Sequence, residues 1–111
     1  MTRAPETPGE IRFWEVAEPL LAQPGVTRST MMGFPCLRVA GAFFACCDRR
    51  SGALVIKLDE DRVDALVAAG RGESFAPNGK RFREWVAIPF EKRRTWVKHL
   101  DDALAFVADR A

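Results

Sequence analysis

The chain contains no tyrosine, a single histidine, His99, and only three serines, Ser29, Ser51 and Ser74. This shortage bears first on catalysis, because a serine or cysteine nucleophile needs a base within hydrogen-bond reach and a further group to orient that base. On a C-terminal helix His99 falls beside the polar positions Thr95 and Asp102, so it reads as a solvated surface residue. No catalytic residue is assigned, and the chain is read as a non-enzyme. Long apolar runs are missing too. Runs such as Gly41 to Cys47 and Ala53 to Ile56 fall far short of the roughly 20 residues that a membrane-spanning helix requires. The opening Met1-Thr2-Arg3-Ala4-Pro5-Glu6 has no apolar stretch of the kind a signal peptide carries. A cytoplasmic protein with no membrane partner is therefore expected.

Cysteine is present in an odd number, as Cys36, Cys46 and Cys47, which does not suit a disulfide framework. A zinc site needs spacings such as Cys-x2-Cys with further ligands nearby, and adjacent cysteines in a strand point to opposite faces. Buried, reduced, structural thiols are expected. The triplet Asp59-Glu60-Asp61 opens a helix, where successive side chains diverge by about 100° and do not converge on one ion. No metal and no cofactor is assigned.

What the sequence does hold is an ordinary globular composition, 48% hydrophobic and 29% charged over 111 residues, enough for one core. A single domain over residues 1–111 is expected, with residues 1–7 as a flexible N-terminus. Thr7 as cap, Pro8 in the first turn and Glu10 three residues after the cap start a helix over Pro8 to Ala22. Its apolar stripe is Ile11, Trp14, Ala17 and Leu21, joined by Phe13 and Leu20, and Pro19 imposes a kink or an early end. From Thr27 to Lys57 the pattern becomes short β segments. Leu37 and Val39 alternate with Cys36 and Arg38, a two-residue turn at Ala40-Gly41 follows, and Ala42 to Cys47 returns as a central strand. A second helix is expected over Asp59 to Ala69, a loop over Gly70 to Gly79, a strand over Phe82 to Ile88, and a last helix over Arg93 to Ala108. The class is α+β, an antiparallel β-sheet packed with three helices.

Charge is unevenly spread. Residues 80 to 98 hold seven basic side chains, Lys80, Arg81, Arg83, Lys92, Arg93, Arg94 and Lys98, against two acidic ones, the one compositional hint of an anionic partner. The same segment holds Phe82, Trp85 and Trp96. In an extended stretch Arg81, Arg83 and Trp85 share one face and Phe82, Val86 and Ile88 the other, so the first face is suited to phosphates and a stacked base. The competing account makes Trp85 and Trp96 core residues and the cations a solvated surface.

Several motifs resemble a known family. Pro24-Gly25-Val26-Thr27, Gly33-Phe34-Pro35-Cys36-Leu37-Arg38-Val39 with Phe43-Phe44-Ala45, and Leu54-Val55-Ile56-Lys57-Leu58 are followed by Arg62-Val63-Asp64-Ala65-Leu66-Val67 and Arg83-Glu84-Trp85-Val86-Ala87-Ile88-Pro89. With the helix containing Trp96, Ala103, Phe106 and Val107, they are similar to the small bacterial YjbR-like (MmcQ-like) domain and, more distantly, to the N-terminal domain of the TfoX competence regulator. The likeness runs from about Phe13 to Ala108. It implies a YjbR/CyaY-like α+β fold and, for such domains, a DNA-binding role. The acidic ridge of iron-handling frataxin-like proteins is not matched, since the first helix carries only Glu10, Glu15 and Glu18 beside Arg12.

The leading expectation is a weak, largely sequence-independent DNA-binding module, accessory to transcriptional regulation, with Arg49, Arg50, Lys80, Arg81 and Arg83 on phosphates and Trp85 as a stacking platform. The alternative is a non-enzymatic scaffold that binds another protein or a small ligand at the sheet surface near Met31, Met32 and Phe34. A contiguous basic face favours the first, and an apolar concave patch favours the second.

Overall fold

The computed structural model describes residues 7–31, 33–76 and 79–110. Thr7 precedes helix α1 (Pro8–Ala17) with extended backbone, and its hydroxyl accepts the Glu10 backbone N–H at 3.1 Å. This satisfies a donor that the first helical turn leaves without a partner. Of the N-terminus expected to be flexible over residues 1–7, residues 1–6 lie outside the described residues. Pro19 has no N–H to give to the α-helical ladder, and the helix ends at Ala17, continued by a 3-10 helix over Glu18–Ala22. Phe13, Val16, Ala17 and Leu20 are buried, whereas Ile11, placed on the apolar stripe by the periodicity, is 50% exposed. Trp14 is half-buried at the margin, with the Arg28 guanidinium 4.5 Å from its ring centre.

Six strands build one antiparallel sheet: β1 (Val26–Met31), β2 (Phe34–Val39), β3 (Ala42–Cys47), β4 (Leu54–Lys57), β5 (Glu73–Ser74) and β6 (Trp85–Ile88), in the spatial order β1-β2-β3-β4-β6-β5. At the β2–β3 connection Ala40 and Gly41 have φ of 51° and 82°, the mirror-image turn whose twist matches that of the strands. Just beyond it the register slips. Leu37 pairs with Ala45 and Arg38 with Phe43, so Phe44 is an extra residue on β3. The bulge lets both Phe44 and Ala45 enter the core on the same side.

Helix α2 (Glu60–Ala68) is capped by Asp59, whose carboxylate accepts the Arg62 N–H at 3.2 Å. After Pro89 a 3-10 helix over Phe90–Thr95 leads into α3 (Trp96–Arg110). Residues of all three helices join Leu37, Val39, Phe44, Leu54, Ile56, Val86 and Ile88 in one core against a single face of the sheet, and Trp96 is fully buried there. The fold class is α+β, as the periodicities imply.

Three local expectations are corrected. The last strand begins at Trp85 and not at Phe82, because the Phe82 N–H bonds the Phe75 carbonyl at 2.9 Å and the Trp85 N–H bonds the Phe82 carbonyl at 3.2 Å, closing a turn before pairing starts. Within the stretch read as loop, Glu73–Ser74 adds a sixth strand beside β6, while Pro77 and Asn78 lie outside the described residues. His99 is corrected from a solvated surface residue to a buried one, only 8% exposed, and its Nδ1 is buried without a hydrogen-bond partner among the described residues. Burial lowers its pKa below the usual histidine value, an effect that Asp102 opposes and that Arg62, Lys98 and Arg71 reinforce.

Candidate ligand cleft on the open sheet face

The opposite face of the sheet carries no helix of the main core, and its surface follows from the register. Ser29, Cys36, Cys46, Val55, Ala87 and Glu73 are successive cross-strand partners, one from each strand, and directly opposed residues point to the same side. Cys36, Cys46 and Val55 form a small apolar cluster here, covered by Met31, Phe43, Phe75, Trp85 and Ala87. Along this row lies a cleft of about 390 Å³, within the range of small-molecule sites. Cys46 and Ala87 contribute to its floor, Met31 and Phe34 to one wall, and Phe75 and Phe82 to the other. The last two rings stack with centroids 5.8 Å apart.

The polar rim comes from the β3–β4 turn, held by side-chain bonds. Asp48 accepts the Arg50 N–H at 2.9 Å through one carboxylate oxygen and the Ser51 hydroxyl at 3.1 Å through the other. Arg49, one residue before Arg50, turns away to the helix side. Its guanidinium grips the carboxylate of Glu10 with two hydrogen bonds, 3.0 and 3.3 Å, and that carboxylate is almost fully buried. Gly9 lets the backbones of α1 and the turn touch, since a Cβ there would meet Gly52 backbone atoms at 2.5 to 2.9 Å. The turn is thereby fixed, and Arg50 is left at the cleft rim with no carboxylate in ion-pair contact among the described residues. Glu73 stands at the other rim.

The six basic and aromatic residues singled out from sequence do not assemble on one face. Arg81 pairs with Asp64 and Arg83 with Glu60 at 3.3 Å, both acids on α2. The shared face expected for Arg81, Arg83 and Trp85 is corrected, because only Trp85 belongs to the strand. Trp85 is half-buried on the open face, with the Lys57 ammonium 5.9 Å from its ring centre. Lys80 is exposed, and so are Lys92, Arg93 and Arg94 on the 3-10 helix before α3. Of the six, Arg50 alone lines the cleft. Met31 and Phe34 do line it, while Met32 lies outside the described residues. The contributions of Glu73, Phe75 and Phe82 were not anticipated, and the only sequence signal for them was two phenylalanines flanking a turn-rich stretch.

The thiols behave differently on the two faces. Cys47 sits in the main core, and burial, with Glu10 and Asp48 adding to it, pushes its pKa up to about 12. On the open face the hydrogen bond between Cys46 and Cys36 lowers the Cys36 pKa against the opposing effect of burial, helped by the Met31 backbone and the Arg38 charge, and raises that of Cys46. Among the described residues no group of three or more His, Cys, Asp or Glu side chains is arranged to hold a metal ion, and none of the helices is long and apolar enough to cross a membrane. Compared with known proteins, the chain matches no family model and no curated sequence.

Proposed function

We propose that the chain is a non-enzymatic binding module whose working surface is the open-face cleft, and that it takes a small amphipathic molecule with an apolar body and an anionic group. The observation that carries this reading is the cleft itself: Met31, Phe34, Phe75 and Phe82 supply apolar walls, and Arg50 is held at the rim. Apolar walls with a few placed polar groups are the usual make-up of a ligand site. Binding without hydrolytic chemistry is supported by the fate of the cleft's hydroxyl and of the histidine. The Ser51 hydroxyl is engaged with Asp48 and the Ala53 N–H, and His99 lies on α3, which packs against the other face of the sheet.

Nuclear magnetic resonance titration with 8-anilinonaphthalene-1-sulfonate, an aryl anion, tests the reading. Amide shifts should concentrate at Met31, Phe34, Arg50, Phe75 and Ala87, and Phe82→Ser should abolish them with little change in melting temperature. Shifts scattered over the helices, or retained in the variant, would refute the cleft as the site.

The YjbR-like resemblance and its DNA-binding role stand as a second reading, favoured by the exposed Lys80 and Lys92-Arg93-Arg94, which make no ion pair among the described residues. On that reading low-salt anisotropy shows duplex binding that weakens with salt, with a log–log slope of about 3 to 4 in magnitude for about 3 to 5 phosphates neutralised. No association at tens of micromolar protein would remove it.

A further inference from the structure

We infer that Cys36 and Cys46 form a redox-active dithiol on the open sheet face, closed by a peroxide into a cross-strand disulfide while Cys47 stays reduced. The inference stands whether or not the cleft binds an amphipathic ligand.

Geometry carries it. Cys36 and Cys46 are direct partners across the β2–β3 ladder, and directly opposed residues in an antiparallel pair have Cα atoms about 4.5 or 5.5 Å apart. Both separations lie in the window of roughly 4.4 to 6.8 Å that a disulfide spans. The two side chains share one small cluster, so their Cβ atoms lie on the same side of the sheet. Cys46 also lines the cleft, while Cys36 is fully buried beside it, so a molecule as small as hydrogen peroxide reaches the Cys36 sulfur only by passing between the side chains that cover the cluster. Cys47 is the built-in contrast: one residue along the same strand, it faces the main core on the other side of the sheet.

The chemistry prepares one sulfur to react. The Cys36 thiol donates to the Phe34 carbonyl at 3.3 Å, and against its burial it is biased toward thiolate by Cys46 and, less strongly, by the Met31 backbone and the charge of Arg38, whose guanidinium lies over the Phe43 ring on this face. The Cys36 thiolate attacks one peroxide oxygen. An S–O bond forms, the O–O bond breaks, and the departing hydroxide takes a proton to become water. Cys46 then attacks the sulfenic sulfur, the S–S bond forms, the S–O bond breaks, and the Cys46 thiol proton leaves with the hydroxyl as a second water. Two electrons pass from the two sulfurs to one peroxide. Thiol exchange with a small thiol reverses the bond.

The test uses the full chain, reduced, freed of reductant and given a few molar equivalents of hydrogen peroxide without denaturant. The expected product is a monomer lighter by two hydrogens, with one thiol left to alkylate after unfolding. After trypsin digestion the peptide ending at Arg38 should remain linked to the peptide from Val39 to Arg49, and fragment ions should place the bond at Cys46 and the alkyl group at Cys47. Cys47→Ala should close the bond as the parent chain does, and Cys36→Ala should not. Glutathione should restore three thiols. Three alkylatable thiols after peroxide, a bond involving Cys47, or linked dimers as the main product would overturn the inference, and each can be read on the unmutated chain.

Discussion

Replacing Arg49 by alanine removes one half of an ion pair whose other half, the Glu10 carboxylate, has a side chain only 3% exposed. Breaking a buried pair from one side costs about 3 to 5 kcal/mol, because the remaining charge loses its compensation. The Arg49 side chain is 28% exposed, so water reaches the pair, and the expected loss falls to about 2 to 3 kcal/mol. For a domain of this size that lowers the melting temperature by roughly 10 °C. Urea unfolding of the parent chain, Arg49→Ala, Glu10→Gln and the double variant measures it, with a coupling energy of about 1 to 3 kcal/mol expected between the two sites. Arg50→Ala, at an exposed neighbour in the same turn, should stay within about 0.5 kcal/mol of the parent. If Arg49→Ala were as mild as Arg50→Ala, the clamp between α1 and the β3–β4 turn would not hold the fold together. If it weakened DNA binding at unchanged stability, Arg49 would be a phosphate contact, as the sequence suggests.

Gly9→Ala should destabilise the chain despite the better helix propensity of alanine, since overpacking against the Gly52 backbone costs about 1 to 3 kcal/mol and the propensity gain is about 0.9; a raised urea midpoint would refute the contact. Ala40→Gly should stabilise by about 0.5 to 1 kcal/mol, because the left-handed φ of 51° strains a Cβ by more than glycine loses in chain entropy, and a lowered midpoint would count against that turn. His99 has a folded pKa below its unfolded value of about 6.5, so its contribution is fully present above that pH and is lost as the pH falls below it. The drop in stability from pH 7 to pH 5 should therefore be smaller in His99→Gln than in the parent, and an equal drop would show that the histidine is solvated.

What could be read from sequence was local, and what could not was a matter of partners far along the chain. Thr7, Pro8, Pro19, Ala40-Gly41 and Asp59 act within a few residues of themselves, and each does in the structure what its chemistry dictates. Arg49, Arg81 and Arg83 were legible as charges, but their carboxylates lie on helices 39, 17 and 23 residues away, so these three became ion pairs in space while Lys80, Lys92, Arg93 and Arg94 stay exposed. His99 was misplaced for the same reason, since polar neighbours on its own helix say nothing of what packs over it. The cleft draws on the β1–β2 hairpin, the β3–β4 turn and the chain around β5, segments with no common pattern to announce them.

The thiol pair shows the limit most sharply. A two-residue turn at Ala40-Gly41, continued without interruption, sets Val39 against Ala42, Arg38 against Phe43, Leu37 against Phe44 and Cys36 against Ala45. The observed ladder keeps the first two pairs and then, past the bulge, sets Leu37 against Ala45 and Cys36 against Cys46. One extra residue, Phe44, turned into the core with Ala45, is what brings the two sulfurs opposite each other. The wholly apolar run Ala42 to Cys47 hides that bulge, because a strand with no polar residues offers no break in alternation to reveal where the register slips. The dithiol is thus a product of the bulge, and any substitution that ironed it out would return Cys36 to an alanine partner and leave no thiol to complete the bond.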